Sequence, residues 1–229
     1  GTVAIVGSTV QSNMAGTDGG GVYNDRNATL SISGSTLLSN EADRDGGGIY
    51  NNASASVNII DTTLSGNTAV RSGGGLFNEI VATATLANTR FSANTAADGG
   101  GIYNQDGVVS VAGGSLIANA ATADGGAIFI SSSATTTLTS TTLSGNTSVR
   151  DGGGVRNDGT LTVSDVNFAG NASGRDGGAI FNNRTLNLTD STFNGNTAAG
   201  NGGALDLNSV GVVTITSSTL RGNIATANG

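Results

Sequence analysis

The hydrophobic positions of this chain fall into columns when the sequence is aligned on an asparagine that returns every 25–27 residues. Three residues before each asparagine stands an aliphatic or aromatic residue, such as Leu37 or Phe91. Further apolar residues lie five and seven positions earlier again, as Ile32 and Leu30 do, with polar residues between them. This i, i+2 alternation is the period of a β-strand and not that of a helix.

Two other markers keep the same period. A run of glycines is followed by an aliphatic residue, as in Gly46 to Ile49, and a small residue such as Ala42 stands two positions after each asparagine. One repeat therefore holds three short apolar stretches separated by turn residues, which predicts a stacked array with a rise of about 4.8 Å per coil. We expect an all-β fold, a parallel β-helix (β-solenoid) with three short strands per coil, 25–27 residues per coil and eight to nine coils.

The repeat runs through the whole chain without a long insertion, so we expect residues 1–229 to form one continuous β-solenoid. The first and last repeats begin and stop inside the pattern, which indicates a segment of a longer protein. A single coil has too little apolar surface to fold alone, so stability must come from contacts between neighbouring coils.

The composition narrows the classes of function. Cysteine, histidine, proline and tryptophan are absent, so disulfides and thiolate metal sites are excluded. The net charge is −7 and every basic residue is an arginine, with no basic stripe along the chain. Nucleic acid and anionic membrane surfaces are therefore poor partners, and no apolar run is long enough for direct membrane insertion by this segment.

The asparagine column is predicted to be structural, because amides stacked at strand spacing can hydrogen bond from coil to coil. Sugar binding by these side chains is the alternative. The column consists of Asn13, Asn40, Asn67, Asn94, Asn119, Asn146, Asn171, Asn196 and Asn223. The glycines are read as a sharp corner, since a phosphate cradle would need a following helix and a lysine.

An aspartate column stands just before the glycines and is the one candidate for a metal. It consists of Asp18, Asp45, Asp98, Asp124, Asp151 and Asp176. These residues form turns readily, but carboxylates stacked on one another repel, and arginines one position earlier, such as Arg44, could offset that repulsion. Ca²⁺ is the alternative partner, because hard cations prefer oxygen ligands. The Gly-Gly-x-Gly-x-Asp calcium repeat is absent, so we expect no cofactor.

An aromatic column follows the glycines. It consists of Tyr23, Tyr50, Phe77, Tyr103, Phe129 and Phe181. Arg156 and Asp206 occupy the same column in other coils, so we expect these side chains to face outward. Two interpretations stay open, a partly buried aromatic ladder and a contact stripe for a partner chain or a glycan.

Two motifs resemble a known family. The chain has the form Phe-x-x-Asn at Phe91–Asn94, Phe168–Asn171 and Phe193–Asn196, and it reads Gly-Gly-Ala-Ile at residues 125–128 and 177–180. This pairing resembles the repeats of chlamydial polymorphic outer-membrane proteins and, more broadly, right-handed parallel β-helix repeat proteins of bacterial surfaces. The resemblance implies right-handed coils, an extracellular or cell-surface bacterial location and a passenger like that of an autotransporter. The chain departs from that type in preferring leucine to phenylalanine in most coils.

We therefore expect a non-enzymatic structural or adhesive β-helix, that is, a stalk, passenger or filament segment. Its partners would be other protein chains, copies of itself end to end, or glycans and proteins of a host or cell surface. A polysaccharide-binding or polysaccharide-degrading β-helix is one alternative, although the carboxylates sit at turn positions. An ice-binding solenoid is another, suggested by a threonine row that Arg90, Ser115 and Asn167 interrupt; the row is Thr9, Thr36, Thr63, Thr142, Thr192 and Thr219.

Overall fold

The protein winds into a solenoid of stacked coils, seen in a computed structural model that describes residues 1–208 and 211–229. The described chain consists of β-strands and turns, and the strands form four parallel sheets that run along the stack. Three sheets contain nine strands each and the fourth contains eight. The predicted all-β solenoid with eight to nine coils is confirmed.

Sheet 1 is built from the longest strands, which mostly have five residues. Its strands are β1 (Thr2–Val6), β5 (Thr29–Ser33), β9 (Ser56–Ile60), β13 (Thr83–Ala87), β17 (Val108–Ala112), β21 (Thr135–Thr139), β25 (Thr160–Ser164), β29 (Thr185–Thr189) and β33 (Val213–Thr216). Sheet 2 follows after a corner. Its strands are β2 (Thr9–Gln11), β6 (Thr36–Leu38), β10 (Thr63–Ser65), β14 (Arg90–Ser92), β18 (Ser115–Ile117), β22 (Thr142–Ser144), β26 (Asn167–Ala169), β30 (Thr192–Asn194) and β34 (Thr219–Arg221).

Sheet 3 has strands of only two residues. They are β3 (Met14–Ala15), β7 (Glu41–Ala42), β11 (Thr68–Ala69), β15 (Thr95–Ala96), β19 (Ala120–Ala121), β23 (Thr147–Ser148), β27 (Ala172–Ser173), β31 (Thr197–Ala198) and β35 (Ile224–Ala225). Sheet 4 follows the glycines. Its strands are β4 (Val22–Asn24), β8 (Ile49–Asn51), β12 (Leu76–Asn78), β16 (Ile102–Asn104), β20 (Ile128–Ile130), β24 (Val155–Asn157), β28 (Ile180–Asn182) and β32 (Leu205–Leu207).

Each strand pairs in register with the equivalent strand of the next coil. Ile32 pairs with Ile59 in sheet 1, and Leu64 pairs with Phe91 in sheet 2. The inward side chains of these strands form one continuous apolar core, in which Ile32, Ile59, Leu64 and Phe91 are 0 % exposed. Each such side chain contributes about 1.5–3 kcal/mol on burial. Residues that share a column in the sequence therefore lie directly above one another.

The short sheet 3 adds a fourth strand to the three apolar stretches that the sequence predicts in each coil. Its inward residue is the small one of the repeat, such as Ala96 or Ala121. A Cβ added to Gly100 would lie 2.4 Å from the Ala120 carbonyl oxygen and 2.6 Å from that of Gly126. The glycine run is therefore required because its backbone passes directly against sheet 3, where no side chain fits.

Candidate functional site

The asparagine column forms a continuous hydrogen-bonded ladder inside the solenoid. Asn94 Nδ2 donates to Asn119 Oδ1 at 2.9 Å and to the Leu64 carbonyl at 3.0 Å. Asn94 Oδ1 accepts from both the backbone N–H and the Nδ2 of Asn67, each at 3.0 Å. The Asn94 side chain is 0 % exposed, and all its hydrogen bonds are made within the protein. The interior members of this column therefore have no amide to offer a sugar.

A second asparagine ladder lies in sheet 4 and was missed in the sequence. Its members are Asn24, Asn51, Asn78, Asn104, Asn157 and Asn182. Asn51 Nδ2 donates to Asn78 Oδ1 at 2.8 Å, for example. Ile130 occupies this position in one coil, so Asn104 of the preceding coil donates to Thr136 Oγ1 at 3.1 Å instead. The signal was available, since an asparagine stands two residues after the aliphatic residue in most repeats.

The aspartate column is an ordered row of carboxylates along the glycine corner. Most of these carboxylates accept the backbone N–H of the equivalent residue in the next coil, as Asp124 Oδ1 does from Asp151 N–H at 2.9 Å. Arginines from the following coil also pair with the row: Arg44 with Asp18 at 3.4 Å, and Arg150 with Asp124. A carboxylate of this row thus gains an N–H donor, a cation or both, and these reduce the mutual repulsion of the row.

Arg156 pairs with this row from a different position in the repeat. Its guanidinium lies 2.8 Å from Asp151 Oδ2, 3.4 Å from Asp124 Oδ1 and 3.1 Å from Asp158 Oδ2. The side chain takes the place of an aromatic ring in the neighbouring column, so its cationic group is held against the acidic corner. One arginine therefore bridges three carboxylates from two neighbouring coils.

Asp98 lacks the arginine partner that most of the row has, because Ala123 stands where the next coil would supply it. Burial raises the pKa of Asp98, and the N–H of Asp124 partly offsets that rise. Burial also raises the pKa of Asp45, where Arg71 lowers it in part. One oxygen of the Asp45 carboxylate is buried without a hydrogen-bond partner. The negative charge of the row is therefore least well compensated at Asp45 and Asp98.

The carboxylates do not gather into a metal cage. Among residues 1–208 and 211–229, no group of three or more acidic ligands converges on a point. The candidate residues Asp18, Asp45, Asp98, Asp124, Asp151 and Asp176 are spaced one to a coil and accept N–H groups or pair with arginine. A calcium ion needs six to eight oxygen ligands around it, and a single-file row does not provide them.

The aromatic column is a stack of parallel rings. The centroids of Tyr23, Tyr50, Phe77 and Tyr103 follow one another at 5.1, 5.0 and 5.3 Å, and Phe129 continues the stack at 4.9 Å. The guanidinium of Arg156 lies 5.7 Å from the Phe129 ring and 5.0 Å from the Phe181 ring, so it extends the stack by cation–π contact. The column is thus one continuous ladder with arginine as one of its members.

This stack is more buried than the expectation of an outward-facing column suggests. Tyr50, Phe77 and Phe181 are at most 8 % exposed, whereas Tyr23 in the first coil is 48 % exposed. Burial raises the pKa of Tyr103 to about 12, so its phenol stays neutral at physiological pH. Neighbouring rings cover both faces of Tyr50, Phe77 and Tyr103, which leaves only the edges of these rings for a partner. A sugar therefore cannot stack on the interior rings of the proposed contact stripe.

The outer face of sheet 1 is the surface that the sequence columns did not single out. Its side chains are the first, third and fifth residues of the five-residue strands, and they alternate with inward residues. Threonine pairs and triplets recur there, as at Thr83 and Thr85 or at Thr135, Thr137 and Thr139. The threonine row noted in the sequence lies next to it, on the first residues of the sheet 2 strands. The two rows together make a broad hydroxyl-rich surface.

Replacement of Asn94 by alanine tests the central ladder. The change leaves the backbone N–H of Asn67 without its acceptor and removes one of the two acceptors of Asn67 Nδ2. It also takes the Nδ2 donor away from the Leu64 carbonyl and from Asn119 Oδ1, so we expect a loss of about 2–4 kcal/mol in the free energy of unfolding. Asn58→Ala, on the outer face of sheet 1, is the matched control and should change stability by about 0.5 kcal/mol or less. Urea denaturation measures both; equal losses would contradict a structural role for the ladder.

Replacement of Asp98 by asparagine tests the charge of the carboxylate row. Because its pKa is raised in the folded chain, the wild type loses stability as the pH rises from about 3.9, the unfolded value, through the raised folded value. Asp98→Asn should therefore be more stable than the wild type at pH 7, and the gain should vanish near pH 3. Urea denaturation at both pH values gives the comparison, with the exposed Asp190→Asn as control. A gain that persists at low pH would contradict the burial of this charge.

The comparisons with known proteins agree with the motifs. Residues 88–105, 165–183 and 190–207 each match the model of the Chlamydia polymorphic membrane protein repeat. These segments contain the three Phe-x-x-Asn motifs and the glycine corner that follows each of them. Comparison with curated proteins and with solved structures found no match. The described chain contains no helix that could cross a membrane.

The resemblance seen in the sequence is thereby confirmed at the level of the repeat. The matched repeat type implies an outer-membrane or cell-surface location in bacteria. Three segments of this β-solenoid are thus similar to the Chlamydia polymorphic membrane protein repeat.

Proposed function

We propose that this solenoid is a non-enzymatic structural or adhesive segment of a bacterial surface protein, displayed outside the cell as a stalk, passenger or filament segment. The observation that carries the proposal is the unbroken pairing of coils. Every coil joins the next through the same in-register strands, and the paired columns continue from the first coil to the last. Such an array is a rod whose length is set by the number of coils. Its plan is that of a long surface and not that of an active-site cleft.

The repeated motifs are used to hold the rod together. The asparagines, the glycine run, the aspartate row and most of the aromatic rings all interact with their counterparts in neighbouring coils. What varies from coil to coil is the set of outward side chains, and adhesion to a protein or glycan would use these. This division supports a scaffold that presents a long surface.

A polysaccharide-degrading enzyme is less well supported. Asp165 and Asp190 line one shallow polar depression with Ser140 and Asn167. They occupy equivalent corner positions in consecutive coils, so they lie side by side in one row and do not face each other across a cleft. Glycoside hydrolysis needs two carboxyl groups that flank the bond. Polysaccharide binding without cleavage stays an alternative that would rely on outward hydroxyls, since the faces of the stacked rings are covered.

Surface labelling of the source bacterium tests the proposal. Antibodies raised against the purified chain should label intact, unpermeabilised cells, because the proposal places the rod outside the outer membrane. An antibody against a cytoplasmic protein is the control and should label only permeabilised cells. Labelling that requires permeabilisation would contradict surface display.

The same preparation tests the absence of enzymatic activity. The chain is incubated with pectin or alginate, and reducing ends are measured. We expect no release above buffer. Release that the double substitution Asp165→Asn and Asp190→Asn abolishes would contradict the non-enzymatic part of the proposal.

A further inference from the structure

The outer face of sheet 1 carries no charged side chain among the residues that the structure describes. Its side chains are the first, third and fifth residues of the strands, for example Thr29, Ser31 and Ser33 in β5. Across the central strands they are Ser56, Asn58, Ile60, Thr83, Thr85, Ala87, Val108, Ser110, Ala112, Thr135, Thr137, Thr139, Thr160, Thr162 and Ser164. We call this surface the uncharged face.

The charges of the chain lie elsewhere. The aspartate row and its arginines follow the glycine corner between sheets 3 and 4. Asp61, Asp165 and Asp190 stand at the corner that borders the uncharged face, outside its strands. With a net charge of −7, two copies of this segment repel each other wherever their acidic corners approach. The uncharged face is the broadest surface through which they can meet without that repulsion.

The size of the uncharged face suits a protein contact. Nine strands at about 4.8 Å and five residues at about 3.3 Å give a flat area of about 700 Å². A standard protein–protein interface buries about 800 Å² on each partner. The side chains are short, so two such faces can approach closely and interdigitate as stacked sheets do.

The margins of the face are partly apolar in its central strands. Val108 and Ile60 are 46 % and 36 % exposed. Ile60, Ala87 and Ala112 are the last residues of β9, β13 and β17, and Val108 is the first residue of β17. These apolar residues interrupt the threonine array where an unbroken row of hydroxyls would be needed to order water. They favour a protein partner, which can bury their methyl groups, over ice, which is a lattice of hydrogen-bonded water.

We propose that two copies of this solenoid pair side by side through their uncharged faces. The contact is isologous, the same surface on both copies, related by a two-fold axis that lies in the interface. The axis passes near the central strand β17, so Ser110 at its middle lies beside Ser110 of the second copy. This pairing differs from stacking end to end, because it leaves both open ends of each solenoid unoccupied.

Single cysteines test this arrangement in a chain that has none of its own. Ser110→Cys, on the uncharged face, should form a disulfide-linked dimer under mild oxidation. Ser115→Cys, in the same coil but on sheet 2, is the matched control. We expect at least a tenfold higher yield of dimer from Ser110→Cys, measured on non-reducing gels over a range of protein concentrations. Equal yields from the two variants would overturn the proposal.

Sedimentation of the uncrosslinked chain gives an independent readout. The wild type should shift from monomer to dimer as its concentration rises. Thr137→Arg places a charge at the centre of the face and should abolish the dimer, while Thr142→Arg, in the same coil on sheet 2, should retain it. Circular dichroism verifies that both variants keep the fold.

Two results would show that a second copy does not occupy this face. The first is a wild-type chain that remains monomeric at all concentrations. The second is a monomer that shows thermal hysteresis which Thr137→Arg removes, because ice would then occupy the face. Dimers that Thr137→Arg leaves unchanged would likewise exclude this surface as the contact.

Discussion

The structure depends on one constraint: each residue lies on its own counterpart in the next coil. Parallel in-register pairing leaves an inward polar group no partner except the same group one coil away and the backbone beside it. Asparagine satisfies this constraint because its amide both donates and accepts. Asn94 shows the complete pattern, with its oxygen bonded to the coil before and its nitrogen to the coil after. The ladder thus binds the coils together at the corner where the chain passes from sheet 2 to sheet 3.

The same constraint makes charge difficult to repeat. A carboxylate in every coil places like charges at strand spacing, which is destabilising unless something compensates. In this chain the backbone N–H groups of the next coil compensate in part, and arginines displaced by one coil compensate further. Burial raises the pKa of Asp98, which has no such arginine, and also that of Asp45, where Arg71 offsets the rise only in part. Ser72 and Asn201 show that neutral residues also fit this position.

Much of the fold could be predicted because columns in the sequence are columns in space. The apolar positions Ile32, Leu37 and Ile49 mark three strands whose inward residues are large enough to show a period. The fourth strand escaped prediction, because a two-residue strand with one inward alanine, such as Ala42, has no period of its own. The depth of the aromatic stack also escaped, since the arginine in that column indicated an exposed position. Arg156 is instead held between two rings and paired with three aspartates.

The surface was harder to predict for a physical reason. Outward residues such as Ser110 and Thr137 need only tolerate a strand, so their identity varies and forms no strict column. The absence of charge from the face of sheet 1 becomes visible only when the register of the strands is known. The repeated residues therefore explain the scaffold, whereas the function of the molecule has to be sought among the residues that do not repeat.

Amide hydrogen exchange tests the central role of the ladder most directly. The backbone N–H groups of Asn67 and Asn94 each donate to the side-chain oxygen of the next asparagine and not to a strand carbonyl. If the ladder holds the coils together, these two amides exchange only on global unfolding, as slowly as the central strands of sheet 1. Exchange at the rate of an ordinary exposed turn would contradict the account and leave the strands alone to hold the stack.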